Sequence, residues 1–232
     1  MMNTMHNVDA YGNEIVTSPE ILTLVEDIFG THAEKAIEYH RLLATDGSIR
    51  GFMGPREIPK LWDRHILNCA VISELVPIAG QPTIVDIGSG AGLPGVPLAL
   101  ARPDIDIFLV EPLLKRATFL QEVSEKLTLE NVQVIRGRAE EKTVKKQIGS
   151  VDLVTSRAVA PLGKLAGWSL PLCKKHGAMI AMKGTTVREE IARDAALIKK
   201  AGGGTAEVLV VGKQLTQPTT VVRIPKLDSI KK

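Results

Sequence analysis

The run Ile84-Val85-Asp86-Ile87-Gly88-Ser89-Gly90-Ala91-Gly92-Leu93-Pro94-Gly95 decides how the rest of the chain is read. A stretch of buried-strand character passes into alternate glycines and then into a helix. Glycine lets a chain turn this tightly and lets a ligand come close to the backbone. Outward from this run, short apolar segments alternate with amphipathic ones. The pattern predicts strands at 83–87, 105–110, 131–135, 151–155, 177–182, 206–211 and 219–224, and helices at 95–102, 113–127, 161–172 and 186–201. Such alternation implies a mostly parallel sheet covered by helices on both faces. A short turn around Gln214 to Pro218 makes the last two strands antiparallel partners. Before Gly80 the pattern is helical: Ser18 caps a helix that opens with Pro19 and stops at Gly30, a second runs from His32 to Ala44, and a third from Leu61 to Val76. The glycine- and proline-rich segment Gly51 to Pro59 reads as loop. The expected architecture is α/β: a doubly wound, mostly parallel, seven-stranded Rossmann-like sheet over 81–232 with an antiparallel last strand, preceded by an N-terminal helical extension over 1–80.

Composition narrows the class. The chain has 232 residues, 44% hydrophobic and 24% charged, as in ordinary soluble globular proteins. The longest uninterrupted apolar stretch, Val96 to Ala101, falls far short of the roughly 18 residues a membrane span needs. Met1 to Ile15 has neither a basic cluster nor an apolar core of a secretion signal. Two cysteines, Cys69 and Cys173, make no disulfide framework and no metal-ligand spacing, so a reducing, cytoplasmic compartment and no metal are expected. Residues 1–80 carry 6 basic and 11 acidic side chains, net −5, whereas 81–232 carry 23 and 15, net +8. A phosphate-binding face produces such an asymmetry, and so does plain solvated surface.

Gly90, Gly92 and Gly95 spell a literal G-x-G-x-x-G, the dinucleotide fingerprint, and Glu111 lies 21 residues after Gly90, where a ribose-binding acid belongs. Two features oppose a nicotinamide-dependent dehydrogenase. The strand ends at Gly88, two residues before the match begins. Asp86 also places a carboxylate close to where a pyrophosphate would dock. S-adenosylmethionine carries a positive sulfonium and no phosphate, so an acid there is tolerated or useful. This reading makes Asp86, Gly88, Gly90 and Glu111 cofactor-binding candidates; a tight turn without a ligand is the bland alternative.

The run Gly88 to Gly95, followed by Leu100-Ala101-Arg102-Pro103, Lys115-Arg116, Phe119-Leu120, Asn131-Val132, Arg138-Ala139-Glu140-Glu141, Ser156-Arg157-Ala158 and Met182-Lys183-Gly184, resembles one family. It is the small-subunit ribosomal RNA guanine-N7 methyltransferase G family, also called glucose-inhibited division protein B. Leu61-Trp62-Asp63-Arg64-His65-Ile66-Leu67 is similar to the family's Arg-His-Ile-Leu helix, and the likeness extends from about Pro19 onward. It implies a class I methyltransferase sheet, S-adenosyl-L-methionine as cofactor, and methyl transfer to N7 of a loop guanine in 16S ribosomal RNA. By resemblance, Gly88, Leu93, Ala139, Glu140 and Arg157 match cofactor-contacting positions, and Glu111 matches the acid on the ribose. Lys115, Arg138, Arg157 and Lys183 match basic positions linked to RNA binding or activity, so Arg157, Arg138 and Lys183 are the candidates for positioning RNA in the reaction. The chain departs from the family at Asn68-Cys69, which replaces Asp-Ser, and at Pro218-Thr219-Thr220, which replaces a basic residue.

The chemistry agrees with the resemblance. Guanine N7 has a lone pair and no proton, so alignment with the donor methyl suffices and no general base is expected. No Asn/Asp-Pro-Pro-Tyr tetrad follows the fourth strand, as an exocyclic-amine methyltransferase would need. Arg157, Arg138 and Lys183 follow the fourth, third and fifth strands, at the sheet edge where open α/β folds bind ligands. Lys115 reads equally well as plain surface. Cys69 and Cys173 read as packed thiols, His65 as a structural histidine on a helix, and Lys142, Lys145, Lys146, Lys174, Lys175 and His176 as solvated helix faces. Aromatics amount to 3% of the chain and interleave no basic stretch, so recognition of RNA rests on phosphates and shape. The expected partner is therefore 16S ribosomal RNA within a small-subunit particle, read by a monomer that touches no membrane. Other readings are a methyltransferase for another RNA, a protein or a small molecule, a dehydrogenase, and a non-catalytic module that binds the cofactor.

Overall fold

The computed structural model describes residues 8–227 except Ala158. Seven strands, β1 (Thr83–Ile87), β2 (Asp106–Glu111), β3 (Val132–Arg136), β4 (Val151–Arg157), β5 (Cys173–Met182), β6 (Glu207–Val211) and β7 (Thr219–Pro225), form one sheet in the order β3-β2-β1-β4-β5-β7-β6. The first five run parallel, and β7 inserts antiparallel between β5 and β6. The order reverses between β1 and β4, which opens a crevice at the carboxyl ends of these strands.

Period-two alternation sends neighbouring strand residues to opposite faces. Ile84, Leu109, Leu153 and Ile180 enter one apolar core, whereas Val85, Val110, Val154 and Met179 enter the other. The N-terminal extension belongs to the first core. Helix α1 (Pro19–Phe29), α2 (Ala33–Leu42) and α3 (Leu67–Ala70) bury Val25, Tyr39, Leu42 and Leu67 there, together with Val96 of α4 (Gly95–Ala101) and Phe119 of α5 (Leu114–Lys126). Helix α6 (Lys142–Ile148), α7 (Leu162–Ser169) and α8 (Val187–Lys200) cover the second face with Val144, Leu165 and Ile198. Helix α1 starts where its sequence requires: Ser18 Oγ accepts from the Ile21 N–H at 3.4 Å, and Pro19 occupies the first turn.

Several expectations need correction. The helix expected over 61–76 is three pieces: a π-helical turn at Leu61–Ile66, α3, and a 3-10 helix at Val71–Leu75. Apolar spacing registers a helical face and is blind to whether the backbone closes i→i+5, i→i+4 or i→i+3 bonds. Part of the expected loop 51–59 is a 3-10 helix, Pro55–Lys60. Strand β5 begins at Cys173 rather than 177, with a register shift opposite Val151 to Leu153. Lys174, Lys175 and His176 therefore sit on a strand and not on a helix, and Lys174 pairs with Asp152 at 2.9 Å.

Candidate functional site

The loop after β1 is held from below and from the side. The N–H of Gly88 donates to the Val110 carbonyl at 2.8 Å, which locks the loop against the end of β2. Gly88 has φ +69°, and a Cβ there would come within 2.9 Å of Val159. Gly92 has φ +104°, and a Cβ would fall 2.7 Å from Val96 and 2.8 Å from the Tyr39 hydroxyl. Neither position accepts a side chain without strain. Tyr39 itself, fully buried on α2, donates its hydroxyl to the Ala91 carbonyl at 2.8 Å, so the extension fastens the loop from the opposite side.

Glu111, 2% exposed, bridges the two loops that follow β1 and β2. Its Oε2 accepts from the Gly90 N–H and its Oε1 from the Leu113 N–H, both at 2.9 Å. Each carboxylate oxygen has more than one lone pair, so both retain capacity for a hydroxyl donor. Asp86 is placed differently from the expectation that it contacts a cofactor. It is fully buried beneath the loop, and its Oδ2 accepts from the Gly95 N–H at 3.0 Å, tying the strand to the start of α4. Burial pushes its carboxyl up to about 7.

Above this loop lies a cavity of about 590 Å³, walled by Gly88, Gly90, Leu93, Glu111, Arg116 and Arg157 among others. Phe52 and Met53 of the extension complete it. A narrower recess of about 100 Å³ continues past Gly88, Pro112 and Val159 toward Arg138, Ala139 and Glu140. A second cavity of about 570 Å³ lies over the ends of β4, β5 and β7, lined by His65, Asn68, Met182, Lys183 and Thr219. Arg157 is a wall of both the 590 Å³ and the 570 Å³ cavity.

The structure thus gathers Gly88, Gly90, Leu93, Glu111 and Arg157 around one space and places Ala139 and Glu140 beside it. Asp86 lines none of these three spaces. Lys183 lines the second cavity, where its Nζ donates to Glu190 Oε2 at 2.8 Å and to the Ala160 carbonyl at 3.0 Å. Arg138 borders the recess. Lys115 is exposed on α5 and lines none of these cavities; its neighbour Arg116 does, 6.0 Å from the Phe52 ring. Burial pushes the Cys69 thiol up to about 11 and Cys173 to about 12, which keeps both protonated near neutrality. Among the described residues, no group of three or more His, Cys, Asp or Glu is arranged to hold a metal ion. Nor is any described helix long and apolar enough to cross a membrane.

Sequence reasoning passes over Tyr39, Phe52, Asn68 and Arg116 as site residues, and it takes His65 as merely structural. His65 is buried and hydrogen-bonded, yet one of its partners is Arg157, at 2.6 Å. The Arg-His-Ile-Leu run is the available signal, but nothing in its spacing points across 92 residues to the end of β4.

The site suits S-adenosylmethionine by the chemistry of its donors and acceptors. Gly90 lines the cavity and has only the Gly88 carbonyl, at 3.9 Å, near a Cβ position, so a ligand has room against the backbone there; Glu111 offers acceptors for ribose hydroxyls, and the recess beside Ala139 is walled by apolar residues including Ile87, Val110 and Trp168.

Comparison with known proteins agrees. The family described as GidB, rRNA small subunit methyltransferase G, matches residues 32–218. A protein of Corynebacterium diphtheriae named ribosomal RNA small subunit methyltransferase G is 61% identical over 212 residues, covering 91% of this chain and 94% of its own. Its namesake in Rhodococcus jostii is 50% identical, covering 96% and 98%. Among solved structures, a SAM-dependent methyltransferase from Aquifex aeolicus superposes with a TM-score of 0.52 at 16% identity, covering 78% of this chain and 98% of that one. Precorrin-6y C5,15-methyltransferase from Geobacter metallireducens gives 0.53, also at 16% identity, over 76% and 91%. These two likenesses concern the fold. With 187 of 232 residues inside the family match, the chain belongs to the rRNA small subunit methyltransferase G family.

Proposed function

We propose that the chain transfers the methyl group of S-adenosylmethionine to N7 of one loop guanine in 16S ribosomal RNA. The observation that carries this reading is the pair of cavities meeting at Arg157: one built on the glycine loop and Glu111, the other over β4, β5 and β7. When bound in the first, S-adenosylmethionine supplies an electrophilic methyl on a positive sulfonium. The chain's own task is then to hold a base in the second cavity. Guanine N7 presents a lone pair without a proton, so no side chain has to remove one. Asn68 and Thr219 offer hydrogen-bonding groups at the walls of that cavity, and Arg157 and Lys183 bring positive charge to its rim. An extruded base at this edge leaves its phosphates on the surface, where Arg138, Lys115 and Arg116 are available to them.

In this reading residues 81–232 form the methyltransferase domain. Residues 1–80 form an extension that closes the cofactor cavity with Phe52 and Met53 and the acceptor cavity with His65 and Asn68. The protein acts as a monomer in the cytoplasm on a small-subunit particle, because a chain poor in aromatics reads shape and phosphate more readily than an isolated strand.

The test is methyl transfer from labelled S-adenosylmethionine to small subunits lacking the modification, to their deproteinised RNA and to an unrelated RNA, with N7-specific strand cleavage to locate the product. Label at a single 16S loop guanine is expected. Label at another atom, or none on any RNA while the cofactor still binds, would refute the reading.

A further inference from the structure

The guanidinium shared by the two cavities is held, among the described residues, without a carboxylate. Among the described residues no ion pair reaches Arg157; its Nη1 donates to the Arg64 carbonyl at 3.3 Å and points to Cys69 Sγ at 3.6 Å, while its Nη2 lies 2.6 Å from His65 Nδ1. A guanidinium only donates, so Nδ1 must be the bare nitrogen of the imidazole. The proton then sits on Nε2, which donates to Glu57 Oε2 at 2.8 Å. Glu57 is itself flanked by Lys60 at 3.6 Å and Arg64 at 3.8 Å. The bonds run in one direction, from Arg157 to His65 and from His65 to Glu57.

This arrangement separates two roles for His65. Its basic nitrogen is capped by Arg157, so the ring is not free to accept a proton from a substrate. What it does instead is fix a cation. We propose that Glu57 and His65 are positioning residues for methyl transfer: Glu57 selects the Nε2–H tautomer, and the bare Nδ1 holds the Arg157 guanidinium at the seam of the cofactor and acceptor cavities. Burial and the charge of Arg157 both lower the tendency of His65 to take a second proton, which keeps Nδ1 open as an acceptor. Glu57 comes from the 3-10 helix Pro55–Lys60 and His65 from the π-helical turn after it. The extension thereby sets the geometry of a residue at the end of β4. Because His65 itself lines the acceptor cavity and reaches the cofactor cavity only through Arg157, its loss should lower transfer to RNA and change cofactor affinity no more than loss of Arg157 does.

The proposal rests on the methyl-transfer reading, and full-length variants keep the two distinguishable. The set is Arg157→Ala, His65→Phe, Glu57→Ala and Glu57→Gln, assayed for kcat on unmodified small subunits and for S-adenosylmethionine Kd by calorimetry. His65→Phe and Glu57→Ala should lower kcat about ten-fold or more and change the cofactor Kd no more than Arg157→Ala does. Glu57→Gln keeps a carbonyl acceptor for Nε2–H and should recover most of what Glu57→Ala loses. The ¹⁵N shifts of His65 should report the Nε2–H tautomer in the wild type and in Glu57→Gln, and a mixture in Glu57→Ala. Glu57 is partly exposed, so its variants test the idea even if His65→Phe folds poorly. An inactive Arg157→Ala beside Glu57→Ala with wild-type kcat would overturn the proposal and leave the transfer reading standing. So would Glu57→Gln falling as far as Glu57→Ala, since charge rather than tautomer would then matter. A fully active Arg157→Ala would likewise overturn the proposal alone, whereas absence of transfer by the wild type would overturn both.

Discussion

The Tyr39 hydroxyl donates to the Ala91 carbonyl at 2.8 Å, and both residues are buried, so the N-terminal extension and the glycine loop are joined at a point water does not reach. Tyr39→Phe leaves that carbonyl without its partner in a dry environment, at a cost of about 1–3 kcal/mol. Urea unfolding should show that loss with an unchanged slope, and cofactor affinity should weaken with it because the loop loses one of its ties.

Gly92 tests the same junction from the other side. Its φ of +104° and its closeness to Val96 and Tyr39 leave no room for a methyl group, whereas Gly54 has nothing within 4 Å of a Cβ. Gly92→Ala is expected to weaken S-adenosylmethionine binding about ten-fold or more, while Gly54→Ala changes it little. Equal effects of the two substitutions would show that the loop is not shaped as described.

Glu111 meets two backbone donors with two carboxylate oxygens. Glu111→Gln supplies one oxygen and a competing donor, so either Gly90 or Leu113 loses its acceptor. The expected outcome is a rise in cofactor Kd of about 10- to 100-fold, read by calorimetry. Retention of wild-type affinity would remove Glu111 from the binding site.

Asp86 makes stability depend on pH in an unusual direction for an acid. Its folded value of about 7 lies above the ordinary 3.8, so the folded protein holds this proton more tightly than the unfolded chain. The stabilisation is complete below the ordinary value and is lost as pH rises from about 4 through about 7. Denaturant unfolding of wild type against Asp86→Asn should diverge across that window by on the order of 4 kcal/mol, with the variant relatively more stable at pH 8 than at pH 4. Parallel curves would place the carboxyl's proton elsewhere.

Lys183 and Glu190 pair at 2.8 Å with side chains only 11% and 16% exposed. Removing one partner leaves a nearly buried charge, so Lys183→Met should cost about 3–5 kcal/mol, and the double change Lys183→Met, Glu190→Leu should recover much of it. Methyl transfer should stay impaired in the double variant if Lys183 also positions RNA. Lys115, exposed on α5, makes the contrasting case together with Arg138. Their alanine variants should leave stability unchanged. Each should also make RNA binding less sensitive to salt, by about 0.7–0.9 in slope for every phosphate that the side chain neutralises.

Local pattern determined the sheet. Strand periodicity, the glycine run and the helical spacing around it are short-range signals, and the seven strands and the helices α4, α5, α7 and α8 fall within a few residues of where these signals put them. Glu111 was also legible, because its distance from Gly90 is a fixed property of one β-α-β unit. Tertiary structure alone decided the rest. Asp86 carries the same alternation as its strand neighbours, and only the packing of α4 over it shows that its carboxylate ties down Gly95 instead of opening to a ligand. Lys183 acquires its partner from the first turns of α8. Glu57, His65 and Arg157 meet although 92 residues separate the last two, because the extension folds back over the carboxyl edge of β4. Contacts at that range follow from which faces bury one another, and an apolar pattern names the faces without naming their neighbours.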